Sequence, residues 1–108
     1  MIKHIVMWNV KGSSAAEKAE TAQLVKRKFE DLRDKVPGLV ELEIGIDESG
    51  IDYACDVVLY SVFRSRQALE AYATHPCHLK VRNELEGMRI SRHQVDYAIE
   101  APPSVPLG

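Results

Sequence analysis

The chain has 108 residues, of which 14 are Lys or Arg, 16 are Asp or Glu and 45% are hydrophobic. This length suits a single domain, and we predict one over residues 1–100 with a proline-rich tail over 101–108. The apolar content excludes an intrinsically disordered chain, and no apolar run reaches the roughly 20 residues of a membrane-spanning helix. The net charge of −2 argues against a nucleic-acid partner, which requires a basic surface.

The cysteine content indicates a reducing compartment. Cys55 and Cys77 lie 22 positions apart and belong to no paired motif such as C-x-x-C. Small secreted domains that depend on disulfides carry more cysteine than this. The N-terminus also lacks the basic and then apolar layout of a secretion signal. We therefore predict reduced thiols and a cytoplasmic location.

The first third of the chain predicts a strand followed by a helix. Residues 1–11 alternate between two faces with a period of two, which is typical of a β-strand. Ser14 and Glu17 then have the spacing of a capping box, which begins a helix. Over residues 15–35 the apolar side chains recur at steps of three and four, as in the buried stripe of an amphipathic helix. The stripe consists of Ala22, Val25, Phe29, Leu32 and Val36.

Two further strands are predicted next, and they differ in character. Residues 39–47 alternate between apolar side chains and acidic ones, so this strand has one dry face and one wet face. Residues 53–63 are apolar on both faces, which is typical of a central strand. The polar turn over residues 47–50 separates the two.

The last part predicts a helix interrupted by a proline and then a fourth strand. Ser65 is positioned to cap a helix whose inner stripe contains Leu69 and Tyr72. Pro76 disfavours helical dihedrals in the residue before it and suits the first position of a second helical piece. Residues 90–100 alternate again and predict the fourth strand.

The resulting order, βαββαβ, is the split βαβ or ferredoxin-like arrangement of an α+β fold. Right-handed crossovers place two helices on one face of a four-stranded antiparallel sheet, with the first and third strands in the centre. The opposite face then carries one of two apolar rows: Ile5, Met7, Val58, Tyr60 and Val62, or Val6, Trp8, Val57 and Leu59. Because a contiguous exposed apolar patch is unusual for a monomer, we predict a twofold homodimer packed sheet to sheet. A monomer with a modestly apolar face is the alternative.

Four segments carry a family resemblance: HIVMWNVK at 4–11, VPGLVELEIGID at 36–47, FRSRQALEAYATHPCH at 63–78 and HQVDYAI at 93–99. With them the chain resembles the stress-responsive A/B barrel (Dabb) domains, a branch of the dimeric α+β barrel superfamily, over roughly residues 2–99. The most specific part is Tyr72-x-x-His75-Pro76-x-His78. The resemblance implies a ferredoxin-like monomer whose sheet pairs with that of a second copy to form a dimeric α/β barrel.

What the resemblance implies about function is less uniform. Many family members have no settled activity, and a few plant members are polyketide cyclases that close a poly-β-keto chain by aldol chemistry. Their catalytic tyrosine and histidine match Tyr72 and His78, whereas a histidine of the cyclase pattern on the third strand is replaced by Val57. More distant relatives include monooxygenases and muconolactone-type isomerases, so the fold alone does not select a reaction.

The chemistry of Tyr72 and His78 is compatible with catalysis. His78 falls in the first turn of the helix that Pro76 begins, where the positive end of the helix dipole disfavours a charged imidazole. A neutral imidazole can accept a proton, and Tyr72 can donate a hydrogen bond to a developing enolate. Such a reaction needs no cofactor, and we predict none. The alternative is that both residues only cap or pack.

Three further residues are predicted as ligand contacts: His4, Trp8 and His75. His4 and Trp8 share one face of the first strand, so they line the same cavity if that face points toward the helices. A hydrogen-bonded core role for His4 and a capping role for His75 are the alternatives. His75 and His78 are also a possible metal-ligand pair, but no third ligand stands at a recognisable spacing, so no metal is predicted.

These observations leave three hypotheses about function. The leading one is a homodimer that holds a small, largely apolar ligand in a cavity between helices and sheet. The second is a cofactor-independent enzyme of cyclase, isomerase or lyase type, with His78 as base and Tyr72 as hydrogen-bond donor. The third is a non-catalytic structural or stress-protective dimer. The sequence does not decide whether the chain is an enzyme.

Overall fold

The computed structural model describes residues 1–100, and the predicted tail over 101–108 lies outside the described residues. The elements follow the predicted order, with the second helix divided in two at Pro76. In chain order they are β1 (Ile2–Val10), α1 (Ala15–Glu30), β2 (Leu39–Ile46), β3 (Val57–Phe63), α2 (Arg66–Ala73), α3 (Pro76–Glu84) and β4 (Arg89–Ala98).

The four strands form one antiparallel sheet in the order β2-β3-β1-β4. The strands that are apolar on both faces are therefore central, as predicted. The register pairs Val6 with Leu59 and Trp8 with Val57, and all four side chains are buried. Because the ring of Phe29 in α1 stacks on Trp8 at 5.0 Å, this row is the one that faces the helices.

The helix α1 ends earlier than its apolar pattern predicts. It stops at Glu30 rather than at residue 35, and the chain continues through turns in which Asp34 has a φ of 65°, in the left-handed region that helices do not use. Leu32 and Val36 are nevertheless buried. The turns keep these two side chains in the core, so the apolar spacing continues beyond the last residue of the helix.

The strand β3 also begins later than predicted, at Val57 rather than at residue 53. Tyr53 is 88% exposed, and the preceding residues form a loop. The loop returns to the sheet at Asp56, whose N–H donates to the carbonyl of Trp8 at 2.9 Å. The Asp56 carboxylate accepts a hydrogen bond from the N–H of Val10 at 2.9 Å. A run of apolar residues next to a strand therefore does not by itself show that those residues pair in the sheet.

The sheet face opposite the helices bears the other apolar row, Ile5, Met7, Val58, Tyr60 and Val62, of which Val62 is buried, and β4 adds Val95 and Tyr97 to it. The register places Val95 beside Ile5 and His93 beside Met7. Met7 is 38% exposed and Val95 50%. We refer to this surface, formed by Ile5, Met7, Val58, Tyr60, Val95 and Tyr97, as the open face. Among residues 1–100, no helix is both long enough and apolar enough to cross a membrane.

Candidate functional site

A cavity of about 300 Å³ lies between the helix-facing side of the sheet and the helices. Its floor is formed by side chains of the two central strands, and its walls come from α1, α2 and α3. The principal apolar and aromatic side chains around it are Val6, Trp8, Leu59, Phe29 and Tyr72. The edge strand β4 contributes Arg89, Arg92, Gln94 and Asp96, and the exposed side chains of Arg92 and Gln94 form part of the rim of the cavity.

The break between α2 and α3 sets the position of the residues that the sequence singled out. Pro76 occupies the first turn of α3, and His75 is its N-cap, with Nδ1 accepting a hydrogen bond from the N–H of Cys77 at 3.1 Å. His75 is not among the residues that line the cavity. Its side chain therefore acts as a helix cap, which was the alternative to its predicted role as a ligand contact.

His78 turns back across this break. Its Nδ1 lies 3.2 Å from the carbonyl oxygen of Ala73, and a carbonyl only accepts hydrogen bonds, so Nδ1 carries the proton. The neutral imidazole then has its lone pair on Nε2. Burial lowers the pKa of His78 below its usual value of 6.5, and the positive charges of Arg82 and Arg89 lower it further, whereas the bond to Ala73 opposes them. The neutral form is thus favoured near pH 7.

Tyr72 lies against His78, and their rings stack at 4.1 Å with an interplanar angle of 25°. The tyrosine is 5% exposed, and its ring also packs on Phe63 at 5.1 Å. Burial raises the pKa of Tyr72 far above its usual value of 10, against the smaller opposing effect of Arg89 and Arg92. The phenol therefore stays protonated and is available as a hydrogen-bond donor.

His4 is both a core residue and a cavity residue. It is buried, its Nδ1 lies 2.5 Å from Oδ1 of Asp96, and its ring meets that of Tyr72 edge to face at 6.1 Å. The Ser61 hydroxyl donates to the backbone carbonyl of His4 at 2.7 Å. Because the carboxylate accepts from Nδ1, the Nε2 atom of His4 is free of this bond. The structure thus brings His4, Trp8, Tyr72 and His78 to one cavity.

The sequence did not identify the arginines around the same cavity as site residues. Four line it: Arg66, Arg82, Arg89 and Arg92. The guanidinium of Arg89 lies over the rings of Trp8, at 5.0 Å, and Phe29, at 5.4 Å. A signal was present in the alternation of β4, because its polar face pairs Arg92 with Trp8 and Asp96 with His4. That face points to the helix side of the sheet rather than away from it.

Other kinds of site are less developed. Within residues 1–100, no group of three or more His, Cys, Asp or Glu side chains is arranged to hold a metal ion. Cys55 and Cys77 are free thiols, and both are half-buried. A second hollow of about 580 Å³ lies at the end of the open face, beside Met7, Val58 and Cys55. It shares none of the residues discussed above for the first cavity.

The family model for the Stress responsive A/B Barrel Domain (Dabb) matches residues 2–99, which confirms the resemblance inferred from the sequence. The stress-response A/B barrel domain-containing protein DABB1 of Arabidopsis thaliana is 43% identical over 54 residues. That match covers 47% of this chain and 26% of the relative, so the chain spans about a quarter of that relative's length.

Solved structures agree with the fold. A dimeric protein of unknown function with a ferredoxin-like fold from Bacteroides fragilis is 28% identical, with a TM-score of 0.80 over 91% of this chain and 95% of that one. The hydroxynitrile lyase of Passiflora edulis is 16% identical, with a TM-score of 0.74 over 92% and 93% of the two chains. At that identity the likeness is one of fold, and it confirms the predicted α+β, ferredoxin-like architecture.

Proposed function

The chain belongs to the stress-responsive A/B barrel family, and we propose that it is a homodimer that binds a small, largely apolar ligand in the cavity beside Tyr72 and His78. The observation that carries this proposal is the cavity itself, because both side chains border about 300 Å³ of space. Ligand pockets of proteins span roughly 300–1,000 Å³ and are mostly apolar with a few polar groups. The cavity lies at the lower end of that size range, and its lining combines apolar and aromatic side chains with more charged groups than such pockets usually carry. The volume suits a ligand of about one ring and a short chain.

Binding is tested with a neutral probe, 4-butylbenzamide, titrated into the full chain and followed by amide chemical shifts. We expect saturable binding, with the largest shifts at residues of the cavity. Ala73 lines the cavity and is exposed, whereas Ala71 is exposed on the same helix but does not line it. Ala73→Trp should therefore weaken binding at least tenfold and Ala71→Trp should not. Shifts spread over the surface, or no saturation, would contradict the proposal.

The homodimer is supported by the open face and by a relative that is itself dimeric. A contiguous apolar surface of this kind is uncommon on monomers, and a sheet-to-sheet twofold contact covers it with the same surface of a second copy. Val95→Asp places a charge on the open face, where Val95 is half exposed, and should produce monomers in sedimentation velocity. Leu79→Asp is the matched control, because Leu79 is an exposed apolar residue of α3 on the helix side. Dimers that survive Val95→Asp would refute this arrangement.

A second candidate function is enzymatic, with His78 as general base and Tyr72 as hydrogen-bond donor. It is favoured by the Nδ1–H of His78, which leaves Nε2 to accept a proton, and by the protonated phenol stacked against it. A carbon acid such as phenylacetone would lose its α-proton to Nε2, and the enolate oxygen would accept a hydrogen bond from Tyr72. The proton returns from the imidazolium, so no cofactor is consumed.

This reaction is measured as deuterium exchange at the α-carbon of phenylacetone in D₂O. We expect His78→Ala to abolish the protein-dependent exchange and Tyr72→Phe to slow it by about 10²-fold, as removal of one oxyanion donor does elsewhere. Tyr53→Phe is the control, because the side chain of Tyr53 is almost fully exposed. Sedimentation velocity of each variant confirms that the assembly is intact. Exchange that persists in His78→Ala would eliminate the catalytic candidate.

Two further expectations belong to the same proposal. A cytoplasmic location is supported by the two free cysteines, since stable disulfides mark oxidising compartments. Nucleic acid is not expected as a partner, because the chain has a net charge of −2 and nucleic-acid binding depends on basic surfaces. If no ligand and no exchange were found, the structural or stress-protective dimer would remain.

A further inference from the structure

The charges that surround the cavity are unbalanced. Four guanidinium groups line it, against the carboxylates of Glu70 and Asp96. Asp96 is already engaged on both oxygens, by Nδ1 of His4 at 2.5 Å and by the side-chain amide of Gln94 at 2.9 Å. Glu70 is the single carboxylate of the lining that remains, and residues 101–108 contain no acidic side chain. The cavity therefore has an excess of positive charge that its own carboxylates do not neutralise.

Arg89 is the best defined of these groups. Its guanidinium is held over the faces of Trp8 and Phe29, an arrangement that fixes both its position and its orientation. Among residues 1–100, no carboxylate lies within ion-pair distance of it. Burial lowers the pKa of Arg89 below its usual value, and the charges of Arg92 and Arg82 lower it further. An anion beside these groups would relieve their mutual repulsion.

Arg92 lies next to Arg89 on the side of β4 that borders the cavity. The register pairs it with Trp8, and its Nη2 donates to the side-chain oxygen of Gln94, which leaves the other guanidinium N–H groups for a ligand. Each guanidinium group carries a pair of parallel N–H donors, and both groups border the same cavity. Two oxygens of a carboxylate or phosphate can accept both of these hydrogen bonds at once, whereas an amide or an alcohol offers only one oxygen.

We propose that the ligand of this cavity is an amphipathic anion, whose carboxylate or phosphate group pairs with Arg89 and Arg92 while its apolar body lies against the aromatic side chains inside. This inference rests on the proposed ligand-binding function and adds the chemical class of the ligand. The apolar part faces Trp8, Phe29 and Tyr72. The anionic group lies at the rim, on the side of the cavity that β4 forms.

The test compares three probes with the same apolar body in isothermal titrations of the full chain: 4-butylbenzoate, 4-butylphenylphosphonate and the neutral 4-butylbenzamide. We expect an anionic probe to bind at least tenfold more tightly than the amide, as expected for added charge-assisted hydrogen bonds. The ratio should fall as salt is raised. A tighter benzoate assigns a carboxylate ligand, and a tighter phosphonate assigns a phosphate.

Variants locate the effect. Arg89→Met keeps an apolar stem over Trp8 and removes the charge, so it should reduce the preference for the anion to less than threefold while the amide still binds. Arg92→Gln should reduce it in the same direction and provides a second measurement if Arg89→Met folds poorly. Arg64→Gln is the matched control, because Arg64 is exposed and does not line the cavity. An anion preference unchanged in both cavity variants would overturn the inference.

The outcomes separate this inference from the function on which it rests. If the amide and the anions bind the wild-type cavity equally well, ligand binding stands and the anionic class is refuted. If the anions bind tightly but cause no chemical-shift changes at Tyr72 or His78, the arginine site is refuted as part of this cavity. If none of the three probes binds, both proposals fail together.

Discussion

The hydrogen-bonded pair of His4 and Asp96 permits a quantitative test of how the cavity is held in shape. The bond joins the central strand β1 to the edge strand β4, and the exposed fractions of the two side chains are 7% and 25%. In Asp96→Ala the buried Nδ1–H of His4 loses its acceptor, and an unsatisfied buried donor costs about 1–3 kcal/mol. We expect a loss of about 2 kcal/mol in the free energy of unfolding.

The coupling between the two residues follows from a double-mutant cycle. His4→Phe keeps a ring against Phe63 and Tyr72 while it removes the donor, and the carboxylate left behind still reaches water because it is a quarter exposed. The double variant should therefore be destabilised by less than the sum of the single ones, with a coupling of about 1.5 kcal/mol. A free-energy change of that size corresponds to a shift of roughly 6–12 °C in melting temperature.

Urea unfolding of the four proteins gives the free energies of unfolding for the cycle. All four are measured at one fixed protein concentration, because an associating chain is stabilised by mass action. The dependence on urea should be unchanged across the cycle, which shows that the variants expose similar surface on unfolding. A coupling below about 0.5 kcal/mol would lie within the ordinary error of additivity. It would refute the reasoning and mean that packing alone positions His4.

Three further predictions concern the core, a turn and the pH dependence of stability. Phe29→Ala should lower the free energy of unfolding by about 3–5 kcal/mol in chemical denaturation, because Phe29 is 1% exposed and stacks on Trp8. A loss below about 1 kcal/mol would contradict this and show that neighbouring side chains collapse into the space. Gly38→Ala should destabilise by at least about 1 kcal/mol, because Gly38 has a φ of +80° and a Cβ there would stand 2.5 Å from that of Ala68. An unchanged melting temperature would contradict it. Because the pKa of His78 is lower in the folded chain than its usual 6.5, the unfolded chain takes up a proton first as pH falls. The unfolding free energy should decrease from about pH 6.5 down to that folded pKa, and the decrease should be smaller in His78→Gln. Identical pH profiles would exclude His78 as the cause.

The sheet order and the break between α2 and α3 were predictable because each has a local cause. A strand that is apolar on both faces is stable only between two neighbours and two layers, which places β1 and β3 in the centre. Pro76 lacks an N–H and constrains the residue before it, so the helix had to restart there. The spacing alone did not decide whether His75 caps the helix or contacts a ligand.

The ends of α1 and β3 were not predictable from the same patterns. Leu32 and Val36 continue the apolar stripe beyond Glu30, but they are buried from turns, and periodicity reports burial rather than the hydrogen bonds that define a helix. Residues 53–55 likewise continue the apolar run of β3 without joining its ladder, which begins at Val57. Where an element stops depends on a partner strand or a cap that the pattern does not contain.

The role of the arginines was hidden for a related reason. Arg92 and Asp96 lie on the polar face of an edge strand, and exposed charge on an edge strand is usually a solvated face that also prevents aggregation. Which face of β4 turns toward the helices depends on its register with β1, and that register is a non-local property. Once Asp96 is paired with His4, the alternation of β4 carries Arg92 to the cavity.

Because side chains alternate between the two faces of a strand, the sheet presents one face to the proposed ligand and the other to the proposed second copy. In β1, His4 and Trp8 point toward the cavity, whereas Ile5 and Met7 point to the open face. A second copy packed on the open face would therefore leave the cavity and its arginine rim accessible from the opposite side. Each protomer would hold a complete site of its own, assembled from one chain. Substitutions on the open face should then change assembly without removing any group that contacts the ligand, so the two proposals can be tested independently.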